Sequence, residues 1–179
     1  MAEKGVARTH EIIYYGHDTL RKVAEEIGDV NGEIISLIDS MYNVMYRSKG
    51  IGLAAPQVDV SKRLFILDIS EEEGGRGVSL ELINPVIMES SEQEGPYNEG
   101  CLSVPGIWEE VTRPLEILVA GVDREGNEVE YEAKGLLARV MQHEIDHLNG
   151  ILFIDRIEDY IRSELRPELK KIKKLNRRA

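Results

Sequence analysis

The chain has 179 residues, 42% of them hydrophobic and 31% charged, and a net charge of −11. That length supplies one domain with a sizeable core, and the balance is that of a globular protein rather than a disordered or fibrous one. A single cysteine excludes an intramolecular disulfide and suits a reducing, cytoplasmic compartment. Met1 to His10 holds no apolar stretch of the signal-peptide type, no run reaches the length of a membrane span, and an acidic body disfavours general nucleic-acid binding, DNA included.

In chain order, Asn31 is an N-cap signal. After it Ile34, Ile35, Leu37, Ile38, Met41, Tyr42, Val44 and Met45 recur at helical spacing. This helix delivers Gly50 to Gln57, Gly-Ile-Gly-Leu-Ala-Ala-Pro-Gln. Its glycines permit another chain segment to pack or pair closely, and Gln57 carries an amide donor able to face an oxyanion. The same stretch also reads as a helix-ending glycine, a turn and a surface glutamine. Leu64–Ile69 and Leu80–Met88 read as strands, joined by an acidic, glycine-rich and mobile turn from Glu71 to Gly77.

The lone cysteine comes next, in Glu99-Gly100-Cys101-Leu102-Ser103-Val104-Pro105-Gly106. A lone cysteine is commonly a small buried hydrophobe. Here Gly100 allows close backbone approach, and Pro105 with Gly106 is a turn signal, which favours a shaped loop. Trp108, the sole tryptophan, comes seven residues later, near enough to rim a cleft. Leu115–Val122 and Glu128–Ala133 read as a hairpin around Arg124–Asn127. A helix begins after Gly135, with Leu136, Leu137, Val140, Met141, Ile145 and Leu148 at helical spacing. Gly150 stops it, and Ile151–Ile154 reads as a short strand.

That last helix contains His143-Glu144-x-x-His147. Residues four apart share a helix face, so two imidazoles can hold one metal ion while the intervening Glu reaches a water on it. The pattern alone also fits an amphipathic helix with two ordinary histidines. Against that, the chain has only four His, and Cys101 is available as a third ligand. One thiolate and two imidazoles leave an open coordination position, as in catalytic sites. No His comes after His147, which excludes a three-His site. A downstream Glu, Glu158 or Glu164, is the alternative third ligand, but it leaves the Cys101 segment unexplained. Asp146 is either a partner for a ligand His or a nearby Arg, or a charge on a solvated face.

Three blocks, Gly-x-Gly-x-Ala-Ala-x-Gln, Glu-Gly-Cys-Leu-Ser and Gln-His-Glu-x-Asp-His, stand in this order, and together they resemble the peptide deformylase family. The likeness runs from about Ile12 to about Arg156. The resemblance implies an α+β fold, with antiparallel β-sheets packed around a central helix bearing the His-Glu-x-x-His motif. It implies Cys101, His143 and His147 as metal ligands, Glu144 as general acid/base, and Gln57 with the Leu102 N–H as oxyanion hole. Gly50, Ile51, Gly52, Glu99, Gly100, Leu136 and Val140 would contact substrate, with Ile51, Leu136 and Val140 around a methionine side chain. The implied reaction is removal of the N-terminal formyl group from formyl-methionine of newly made polypeptides, releasing formate by attack of metal-bound hydroxide. The implied ion is Fe²⁺, with Zn²⁺, Ni²⁺ or Co²⁺ able to occupy the site, although raw affinity favours zinc.

The expected domain plan is one catalytic domain, 1–160, and a basic helical tail, 161–179. Arg162 to Ala179 holds eight Lys/Arg against two Glu, so this segment is +6 and the remainder −17. A basic tail on an acidic body fits a local contact with ribosomal RNA, and equally fits a frayed, solvated helix end. Pro167 would interrupt that helix. Two other functional classes fit parts of the sequence, a His-Glu-x-x-His endoprotease and a non-catalytic metal-binding or ribosome-associated protein.

Overall fold

The Asn31 carboxamide accepts hydrogen bonds from the Glu33 and Ile34 N–H groups at 3.0 and 3.1 Å and so starts helix α1 (Gly32–Arg47). In this computed structural model, residues 10–70 and 77–177 are described. Seven strands come after α1: β1 (Gly52–Ala54), β2 (Leu64–Ile69), β3 (Val78–Ser90), β4 (Glu94–Cys101), β5 (Val104–Pro114), β6 (Glu116–Val122) and β7 (Glu128–Lys134). Helix α2 (Gly135–Leu148) comes next, then the short α3 (Asp159–Glu164) and α4 (Arg166–Lys173). Strands β1, β2, β3, β6 and β7 form one antiparallel sheet in the order β1-β2-β3-β6-β7. Strands β4 and β5 form a separate antiparallel pair. The fold is α+β, as expected.

β2 sets the layering. Successive side chains of a strand point to opposite faces, and both faces of β2 are buried. Leu64 and Ile66 pack with Ile38, Met41 and Met45 of α1. Phe65, Leu67 and Ile69 pack with Ala138, Met141, Ile145 and Leu148 of α2. The sheet thus lies between the two helices. α2 is buried on most of its circumference, the pattern of a helix at the centre of its domain.

The expected elements are found with modest changes of boundary. β3 runs from Val78 to Ser90, longer than Leu80–Met88. The β6–β7 turn is closed by Asp123, whose Oδ1 accepts the Glu125 and Asn127 N–H groups. The turn expected at Glu71–Gly77 falls, apart from Gly77, outside the described residues. α2 ends at Leu148 and is capped by Asn149; Gly150, the expected stop, follows, with φ at +73° and a Cβ position 2.7 Å from the Arg21 carbonyl oxygen. Only glycine meets both demands there.

Two expectations are corrected. Ile151–Ile154 is not a strand: Phe153–Asp155 is a 3-10 turn. Its apolar residues are buried, but Asp155 accepts the Leu152 N–H at 2.9 Å and closes the chain locally, and a short apolar run cannot itself distinguish the two outcomes. The Cys101 segment is a hairpin rather than a loop. Cys101 ends β4, the turn is at Leu102 and Ser103, and Pro105 and Gly106 lie within β5. The turn thus comes earlier in the chain than expected.

The C-terminal segment is packed on the body. Leu169 and Ile172 of α4 are buried in a third apolar cluster with Val104, Ile107, Val111 and Phe153. Asn176 accepts the Tyr14 N–H and donates to the Tyr14 and Tyr15 carbonyls. Lys170, Lys171 and Lys174 are exposed to solvent. No helix among the described residues is long and apolar enough to cross a membrane.

Candidate metal centre and substrate cleft

Helix α2 carries its chemistry on the stripe that does not enter the sheet core. Met141, Ile145 and Leu148 pack against β2 and its neighbours. Arg139, His143 and Asp146 reach instead toward β4 and β5. The hairpin turn brings Cys101 over the same helix. The Cys101 Sγ is 3.3 Å from His147 Nε2. One donor atom each from Cys101, His143 and His147 lies within 4.8 Å of the others. Tetrahedral coordination at bond lengths of about 2.0–2.3 Å puts ligand atoms roughly 3.4–3.6 Å apart. These three side chains therefore suit one metal ion. Among the described residues they form the one such group of His, Cys, Asp and Glu. Glu158 and Glu164, the alternative third ligands, are not part of it.

The protonation of the centre is set by its surroundings. Burial disfavours the His147 cation, and the nearby charges of His143 and Arg113 act the same way, so its pKa lies well below the ordinary range. A neutral imidazole is the form that binds a metal. Burial acts against the His143 cation too, but hydrogen bonds with Cys101 and Glu99 outweigh it and push that pKa up. Glu99 Oε2 sits 3.0 Å from His143 Nδ1. This contact orients the ring and leaves Nε2 for an ion. Two buried polar atoms, His147 Nδ1 and Glu144 Oε2, have no hydrogen-bond partner. Such orphaned groups are rare in native interiors; Glu144 Oε2 fits a centre completed by water, whereas His147 Nδ1 is on the ring side away from Cys101 Sγ.

A buried ionic network braces this centre. Arg113, 3% exposed, grips Glu99 through Nε and Nη2 at 2.7 and 2.9 Å and Asp146 through Nη1 at 2.6 Å. Arg139 adds a bond to Glu99 at 3.0 Å and donates to the Val111 and Gly95 carbonyls. Arg156 completes Asp146 from the far side. Burial would raise the Glu99 pKa, but the bonds from His143 and Arg113 and the Arg113 charge outweigh it and hold it at about 2. Asp146 is thus a buried partner of two arginines and not a charge on a solvated face. Sequence reading missed Arg113, Arg139 and Arg156. Arg113 shares the face of Ile107 and Val111 by strand alternation, a signal available only once 104–114 is recognised as a strand.

Glu144 lies beside the centre, 4% exposed. Burial raises its pKa to about 7, helped by the charges of Glu99 and Asp146 and opposed by those of His143 and Arg113. Its room comes from Gly52: a Cβ there would fall 2.5 Å from Glu144 Oε1 and 2.9 Å from Val140 Cγ1. Gly50 similarly makes way for Leu102, whose Cδ1 would be 2.7 Å from an added Cβ. The three sequence blocks are therefore in mutual contact. Gln57 joins them. Its Oε1 accepts the Ala54 N–H at 2.8 Å, which directs Nε2 toward Cys101 Sγ at 3.5 Å and Ser103 Oγ at 3.3 Å.

Above the centre opens a cleft of about 670 Å³. Gly50, Ile51 and Gly52 line one wall, and Glu99, Gly100, Cys101 and Leu102 another. Leu136, Val140, His143 and Glu144 come from α2, and Gln57 completes the interior. His147 lies beneath, 1% exposed. All the expected substrate-contacting residues thus border one cavity.

Comparison with known proteins bears directly on this arrangement. The model of the polypeptide deformylase family matches residues 9–163. A peptide deformylase of Thermodesulfovibrio yellowstonii is 49% identical over 160 residues, covering 89% of this chain and 96% of that protein. One of Brachyspira hyodysenteriae is 44% identical over 165 residues, covering 91% and 88%. Among solved structures, the peptide deformylase of Ehrlichia chaffeensis in complex with actinonin superposes with a TM-score of 0.86 at 38% identity, covering 94% of this chain and 98% of that one. The chain belongs to the polypeptide deformylase family, metal-dependent enzymes that remove the N-formyl group from nascent peptides.

Proposed function

We propose that this chain hydrolyses the formyl amide of formyl-methionyl peptides at the Cys101–His143–His147 centre, with Glu144 as general acid/base and Fe²⁺ as the ion in the cell. The observation that carries the reading is the grouping of Cys101, His143 and His147 donor atoms within 4.8 Å of one another, beside a cleft that the buried Glu144 also lines. A bound divalent ion supplies Lewis-acid activation of water and of the formyl carbonyl. Zn²⁺, Ni²⁺ and Co²⁺ suit the same donor set.

The chain's own groups do the rest. Glu144, poised near neutrality, takes a proton from water at a carboxylate oxygen and returns it to the departing amine nitrogen. Gln57 Nε2 and the Leu102 N–H donate to the formyl oxygen as it gains charge. The amide of Gln57 is held for this by the Ala54 N–H. Ile51, Leu136 and Val140 give the cleft an apolar floor suited to a methionine side chain. β1 ends the five-stranded sheet, and β4 pairs only with β5 among the described strands. Both edges border the cleft, which suits an extended peptide lying between them.

The enzyme acts in the cytoplasm on chains leaving the ribosome, and the outward lysines of α4 provide the contact. Charge supports this: the exposed Lys170 and Lys171 stand on α4 and Lys174 caps its end, while the apolar side of the helix is already used for packing. Reversing them with Lys170→Glu, Lys171→Glu and Lys174→Glu should weaken ribosome co-sedimentation and its salt dependence. Unchanged co-sedimentation rejects the contact.

The deciding experiment is anaerobic formate release from a formyl-Met tripeptide by the Fe²⁺-loaded protein. An acetyl-Met tripeptide and casein serve as controls. Release from the formyl substrate alone is expected. Cleavage of casein would point to an endoprotease, and a metal-loaded protein with no turnover to a binding protein.

A further inference from the structure

The geometry points to Trp108 as a specificity residue for the substrate positions after the formyl-methionine, an indole platform at the cleft mouth for an aromatic or large apolar side chain. This rests on the cleft binding formyl-methionyl peptides. Trp108 is the sole tryptophan, borders the cleft and is 64% exposed. A single exposed aromatic is ordinary on a protein surface. This one is held in place. Trp108 faces Gly100 across the β4–β5 ladder. A Cβ on Gly100 would fall 2.7–2.8 Å from Trp108 Cε3, Cδ2 and Cζ3. The benzo ring is therefore seated against the Gly100 backbone, one residue before Cys101, and the rest of the indole remains open.

The position decides which part of the substrate it meets. The floor of Ile51, Leu136 and Val140 takes the methionine side chain, and Trp108 is not part of that floor. An extended peptide advances about 3.3 Å per residue with side chains alternating in direction, so the second or third residue reaches the mouth. A ring already fixed on one face loses little freedom when the other is covered. The aromatic contact should favour such substrates by roughly 3- to 10-fold.

The test compares kcat/KM for formyl-Met-Gly-Gly, formyl-Met-Phe-Gly and formyl-Met-Gly-Phe in the metal-loaded full-length protein and in Trp108→Ala and Trp108→Phe. One Phe substrate should exceed the Gly substrate by that factor in the wild type. The ratio should fall close to one in Trp108→Ala and be largely kept in Trp108→Phe. The wild type gives a second readout, because all its tryptophan emission comes from Trp108. The matching Phe-containing product peptide should change that emission at lower concentration than Met-Gly-Gly does. Equal kcat/KM on all three substrates, a ratio unchanged in Trp108→Ala, or emission unchanged at saturating product each overturns the platform. Absence of formate from every substrate overturns instead the deformylase reading on which it rests.

Discussion

Glu99 Oε2 lies 3.0 Å from His143 Nδ1, and the same carboxylate is gripped by Arg113 through two bonds. One residue of the second sequence block thus orients one residue of the third, and an arginine outside all three blocks ties Glu99 to Asp146 of that third block. Glu99→Gln should weaken this orientation and lower metal affinity by about 10- to 100-fold. Competition with a chromogenic chelator measures it. Unaltered affinity would remove Glu99 from the support of the centre.

The pH dependence of stability has a definite sign. The folded Glu99 pKa, about 2, is depressed from an ordinary value of 4.5. Its contribution is therefore complete above the unfolded value and is lost as pH falls through the folded one. The stability gap between wild type and Glu99→Gln should hold steady above about pH 5 and narrow between 4.5 and 2. Urea unfolding across that range is the check.

Arg113→Met would remove the guanidinium that bridges Glu99 and Asp146, leaving Arg139 alone on the first and Arg156 alone on the second. Breaking such a network costs about 3–5 kcal/mol. Arg113→Lys should recover little, because one ammonium cannot reproduce a fork that bonds two carboxylates. Denaturant midpoints of the three proteins decide this.

Gly52→Ala places a methyl carbon 2.5 Å from Glu144 Oε1 and 2.9 Å from Val140 Cγ1, closer than either can remain. Displacing the carboxylate by about 1 Å should lower kcat on the order of 100-fold while the bound-metal content remains one per chain. Normal turnover would show that Glu144 does not need its present position.

Leu169→Ala should destabilise the protein by about 2–5 kcal/mol, because Leu169 is 5% exposed within the cluster of Val104 and Phe153. Thermal unfolding measures it. The same packing means that removing residues 166–179 would remove core side chains along with the basic charges, so charge reversal separates the two effects.

Much of the site was legible in the chain because its chemistry is local. His143, Glu144 and His147 are spaced by the helix itself, and α2 forms from an apolar period that its length makes unambiguous. Asn31 and Gly150 marked helix ends for reasons carried by single residues, a side-chain acceptor and a positive φ. Where local signals were short, they misled: Ile151–Ile154 is apolar, and buried from Leu152 on, but closes as a turn, and the Cys101 turn fell at Leu102–Ser103 rather than Pro105–Gly106.

What only the tertiary structure decided is pairing between distant residues. Sequence alone offered Cys101 as a third donor but could not put its sulfur 3.3 Å from His147; the β4–β5 turn does that. Nothing in the order of residues marked Arg113 as the brace of both Glu99 and Asp146, since strand alternation can put it on the Val111 face but the two carboxylates around it come from β4 and α2. Gly50 and Gly52 were recognisable as permissive, yet the groups they admit, Leu102 and Glu144, come from other elements. Side-chain spacing along one helix is set by covalent geometry and can be read directly. Contacts between elements depend on how all three apolar clusters close together, and that is decided only when the chain folds.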